Sequence, residues 1–125
     1  MRRRQHGLKL ALAQVDLMSE YPKHIKKKIY ELRCEAHERE LARELTQLAA
    51  RFDEWRAGKI GAGELDHLIH QHHNGPSREL FKFYNYGSDD FSVAHAVAEG
   101  TLNVDEIPED VWPHIEALVR FCCGE

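Results

Sequence analysis

A chain of 125 residues with a 42% hydrophobic fraction, 30% charged residues and a net charge of −4 can build one core and is too apolar to stay disordered. No stretch approaches the ~20 apolar residues that a membrane-spanning helix needs, so no membrane partner is expected. The cysteines Cys34, Cys122 and Cys123 are odd in number and two are adjacent, which excludes a secreted disulfide framework and points to reduced thiols in the cytoplasm.

Residues 1–125 read as a single helical domain, with residues 1–7 as a flexible basic tail. Basic residues ahead of the segment 8–15 imitate a targeting signal, but Lys9 and Gln14 interrupt its apolar run and it is too short. Leu8, Ala11, Leu12, Val15 and Met18 instead fall on one side of a short amphipathic helix.

The dominant feature follows, from about residue 22 to residue 57. It has no internal glycine or proline and is rich in Glu, Lys, Arg, Leu and Ala, all good helix formers. Pro22 suits a first helical turn, with Tyr21 or Ser19 near the cap, and Gly58 suits the stop. A helix of that length spans about 50 Å. Its apolar residues form two stripes. Ile25, Ile29, Leu32 and Ala36 make one, confined to the first half. Tyr30, Cys34, Leu41, Leu45, Leu48, Phe52 and Trp55 make a second on the opposite side, with coiled-coil spacing from Leu41 onward. The first half should therefore be covered on two faces and the second half on one. Nothing in the polar run 35–40 forces a break, and Lys27–Glu31 and Glu35–Arg39 are supportive i,i+4 pairs.

Beyond Gly61-Ala-Gly63, residues 64–73 place Leu65, Leu68, Ile69 and His72 on one helical face. Asn74-Gly75-Pro76 is expected to end that helix, and Ser77 to begin another carrying Leu80, Phe81, Phe83 and Tyr84. Ser88 starts the next element, with Phe91, Ala94, Val97 and Ala98 before Gly100. Pro108 and Pro113 introduce a last helix bearing Trp112, Ile115, Leu118, Val119 and Cys122. No convincing period-2 strand occurs. The expected fold class is all-α, a small helical domain of five to six helices organised around one long helix.

Charge is split along the chain. Residues 1–60 carry 14 Lys/Arg against 9 Asp/Glu, and residues 61–125 carry 3 against 12. Such polarity serves a nucleic acid, a charged protein partner, or the other half of the same chain.

Three constellations bear on function. The first is histidine: His67, His70, His72 and His73 lie within seven residues, and nine histidines in all is rich. His67 and His70 share a face at i,i+3, as a divalent transition metal requires of one helix, and Glu38 and His37 are the candidate further ligands. Glu64 and His67 also have the Glu-x-x-His spacing of di-iron bundles, but only one such motif is present. The competing reading is a helix C-terminus decorated with exposed histidines, with His72 a boundary residue and no cofactor expected.

The second constellation is basic. Arg2, Arg3, Arg4, Lys23, Lys26 and Lys27 would neutralise phosphates of a nucleic acid. Residues 64–85 have a helix-turn-helix outline, with Arg78 and Lys82 on its second helix. The acidic flanks favour the reading that Arg78 and Lys82 form a solvated face. No catalytic fingerprint is present, and Cys34 near His37 is better read as a buried, inert thiol than as a nucleophile, so the chain is not expected to be an enzyme.

The third constellation is apolar. Ile25, Ile29 and Leu32, together with Leu41, Leu45, Leu48, Phe52 and Trp55, demand more cover than a thin layer of short helices supplies. The leading expectation is therefore a non-enzymatic interaction or regulatory protein that self-associates or binds a protein partner.

Overall fold

The computed structural model describes residues 21–125. The long helix is present and unbroken: α1 covers Lys23–Arg56, within a residue of the expected bounds at each end. Pro22 stands at its N-cap, where a missing N–H costs nothing. At the other end Gly58 takes φ 76°, the left-handed conformation that closes a helix. Its N–H donates to the Trp55 carbonyl at 3.0 Å and the Lys59 N–H donates to the Glu54 carbonyl at 2.8 Å. Those two bonds satisfy carbonyls that the helix end would otherwise orphan.

The chain then turns back along α1 as a second helix, α2, running over residues 62–86. It consists of α-helical Ala62–His72, a π-helical turn His73–Ser77 and α-helical Arg78–Tyr86. Asn74-Gly75-Pro76 therefore does not end a helix. A proline inside a helix lacks its N–H and presses its ring on the preceding turn. Widening that turn to π geometry accommodates Pro76, while the backbone stays helical at His72 (φ −62°, ψ −48°) and Arg78 (φ −67°, ψ −42°). Two expected helices are thus one. With α3 at Asp89–Ala98 and α4 at Trp112–Cys122, the described residues form four helical bodies where five of the expected helices fall. A single 3₁₀ turn, Val104–Glu106, lies between α3 and α4, closed by a reciprocal box in which Asn103 and Glu106 each bond the other's backbone. No strand occurs among the described residues.

The core sits at one end. Ile25, Ile29 and Ala36 of α1 meet Tyr84 of α2, Val93, Ala94, Ala96 and Val97 of α3, Leu102, Ile107 and Val111 of the connection, and Ile115 and Val119 of α4. Leu32 packs at its edge. Each large aliphatic side chain buried this way contributes about 1.5–3 kcal/mol. The stripe Ile25, Ile29, Leu32, Ala36 is therefore the core-facing edge of α1.

No described residue covers the other side of that first half. Among the described residues Tyr30 is 51% exposed, and Cys34 is exposed rather than buried. Tyr30 instead lies beneath the Arg33 guanidinium, 4.8 Å from the ring centroid. The amphipathic segment Leu8 to Met18 and the basic tail 1–7 lie outside the described residues.

The charge asymmetry is spent partly inside the molecule. Lys28 donates to Asp110 at 2.6 Å, and Arg33 stands 3.2 Å from Asp89 while donating to the Tyr84 carbonyl. Arg39 makes a two-pronged contact with Glu106 at 2.6 and 2.8 Å, and also reaches Glu35 and the Thr101 carbonyl. A basic helix thus clamps an acidic C-terminal half through pairs far apart in sequence. The Arg39 hydrogen bonds, with a further one from the Asn103 backbone, pull the Glu106 carboxyl down to about 2.

Candidate interaction surface

Beyond residue 40, α1 leaves the core behind. None of its residues from 41 to 56 is buried, whereas three are buried before that point. The N-terminal half of α2 lies alongside it and buries only Leu65. Leu48 borders a groove with Leu68, His72 and Pro76 of α2, so His72 is the boundary residue that its position on the apolar face implied. The two helices form a thin arm one layer deep.

The arm's free side is apolar. Leu45 is 47% exposed and Trp55 is 42% exposed, while Leu41, Leu48 and Phe52 are half-buried. Ala42 and Ala49 are exposed between them. Leu45, Leu48, Ala49, Phe52, Asp53 and Arg56 border a shallow depression of about 300 Å³, every one of them from α1. An apolar strip over which the described residues lay no second layer is the type of surface that associates with another helix. Sequence periodicity located this stripe, but not which of its members would lie open. Ala42 and Ala49 carry no sequence signal of their own, because alanine is as ordinary on a solvated face as in a contact.

The joint between arm and core is polar and tight. The Tyr84 hydroxyl donates to the Glu40 carboxylate in a short bond, and the His37 ring stacks on the Tyr84 ring at 5.1 Å. Burial, and then that hydrogen bond, push the Tyr84 phenol well above its ordinary value. His37 is thus engaged in a stack at the joint.

The expected metal ligands are not gathered. His67 and His70 are exposed on α2, and His70 pairs weakly with Asp66 one turn away, at 3.5 Å. Glu38 is exposed on α1. No group of three His, Cys, Asp or Glu side chains among the described residues is arranged to hold a metal ion.

The basic constellation is dispersed as well. Arg2, Arg3 and Arg4 lie outside the described residues. Lys23 and Lys27 are exposed at the start of α1, and Lys26 is half-buried there. Arg78 and Lys82 sit far along α2, after the π turn. Because residues 64–85 form one continuous helix, the angled pair of helices that defines a helix-turn-helix is absent. No helix of the described residues is long and apolar enough to cross a membrane. In comparisons with family models, curated proteins and solved structures, the chain matches none.

Proposed function

We propose that the protein is a non-enzymatic interaction module whose working surface is the apolar edge of the α1 arm, centred on Leu45, Leu48 and Phe52. The observation that carries this reading is the contrast along one helix. The same α1 that buries Ile25, Ile29 and Ala36 exposes Leu45 and Trp55. Leaving large apolar side chains open costs the hydrophobic stabilisation that their burial would supply. A contact made by the arm recovers that stabilisation and keeps the clamped base as a rigid mount.

The test places a photoreactive phenylalanine analogue at position 45 in the full chain, with position 27 on the base of α1 as control. Irradiation in the expressing cell should yield a crosslinked protein product from position 45 and little from position 27. Equal, background-level products from both positions would sink the reading.

A further inference from the structure

We infer that the arm's partner is a second copy of this chain, its α1 lying antiparallel across the first and centred near Gln47. This rests on the reading of the arm as a contact surface and names the partner.

The exposed edge of α1 is a ladder with alternating spacing of three and four: Glu38, Ala42, Leu45, Ala49, Phe52 and Arg56. The described structure leaves Glu38, Ala42, Leu45, Ala49 and Arg56 exposed and Phe52 half-buried. That spacing is the seam of a two-helix coiled coil. Small and large residues alternate along it, so helix axes approach to the short end of the usual 8–10 Å only if each large side chain faces a small one. An antiparallel copy centred at Gln47 achieves this in every rung. Leu45 faces Ala49 of the second copy, and Phe52 faces its Ala42. The same register sets Glu38 opposite Arg56 at both ends.

A parallel copy in register does the opposite: Leu45 meets Leu45, Ala49 meets Ala49, and Glu38 meets Glu38. The ladder is self-complementary in size and in charge only when reversed. A two-fold axis then repeats each contact, as isologous dimers require. The end residues are available for this role. Glu38 makes no ion pair among the described residues, and Arg56 has only a distant contact with Asp53, 3.9 Å within its own helix. The α2 helix does not occupy the ladder, because its groove with α1 is bordered by Glu44, Gln47, Leu48 and Arg51 on an adjoining face. Residues 38–56 give a contact about 27 Å long. A contact one helix wide and of that length suits a weak, concentration-dependent dimer.

Sedimentation velocity of the full chain from about 1 to 200 μM tests the inference, with charge reversal at the ladder's ends. The wild-type chain should pass from monomer to dimer across that range. E38R and R56E should each weaken dimerisation about tenfold or more, because each replaces two attractions by two repulsions. The double variant E38R/R56E should recover the wild-type constant to within about threefold, and an equimolar mixture of the single variants should form a heterodimer. All four positions of charge are exposed, and circular dichroism confirms that each variant keeps its helices. A wild-type chain that stays monomeric throughout, or a double variant no better than the singles, overturns the antiparallel pairing. The product crosslinked from position 45 separates the two levels of the argument. Twice the chain mass supports the second copy. A heterologous mass overturns the dimer but leaves the arm a contact surface, and no product above control overturns both.

Discussion

The two halves of α1 share a backbone and differ in what they touch. From residue 23 to residue 40 the helix is bonded across the fold by Lys28, Arg33 and Arg39 and anchored in the core by Ile25, Ile29 and Ala36. From residue 41 to residue 56 its companion among the described residues is α2 as far as the π turn, and its largest apolar residues stay partly open. The difference teaches that helical propensity and fold stability are separable here. The second half is helical because its residues favour helix and because it continues a nucleated one, not because a core demands it.

This contrast can be broken or sharpened by substitution. The largest effect belongs to the core: Ile29→Ala, at a fully buried site, should destabilise the chain by about 2–5 kcal/mol in urea unfolding. A loss under 1 kcal/mol would show that the base is not the stable half. Next comes the joint. Tyr84→Phe removes the donor from the Glu40 carboxylate in a part-buried contact and should cost about 1.5–3 kcal/mol. At the tip of the arm, Gly58→Ala meets no atom within 4 Å, so its penalty is the left-handed backbone alone, about 1–2 kcal/mol by thermal melting.

A smaller effect appears as a pH dependence. The folded value of Glu106 is about 2 against an ordinary 4.5. Its stabilising contribution is therefore complete above pH 4.5 and fades as the pH falls toward 2. Glu106→Gln should flatten the acid side of the stability curve in that window; an unchanged curve would mean that the Arg39 clamp does not hold in solution. The smallest effect is on the arm. Leu45→Ala in dilute, monomeric protein should alter stability by no more than about 0.5 kcal/mol. A cost near that of Ile29→Ala would erase the distinction between the halves.

Much of this architecture was legible from residue types. The long helix, its stop at Gly58, the core stripe and the last two helices all follow from propensity, punctuation and the 3.6-residue period. The histidine cluster was visible too, but proximity in sequence does not supply convergence in space: among the described residues His67 and His70 belong to no group of three that could hold a metal ion. Pro76 misled because its usual role as a terminator has an alternative, a π turn, that local sequence does not announce. Tyr30 and Cys34 share a helical stripe, but a stripe records which residues share a face and not what packs there, and among the described residues both stay exposed.

The sequence by itself determined where α1 runs and how its apolar and charged residues are arrayed, since these depend on neighbours three and four positions away. Only the tertiary structure decided that its basic half is matched to the acidic half through Lys28–Asp110, Arg33–Asp89 and Arg39–Glu106. It also decided which stripe is core and which is open. Those outcomes depend on contacts between residues some fifty to eighty positions apart, and the chain geometry that creates them exists only once the helices have packed.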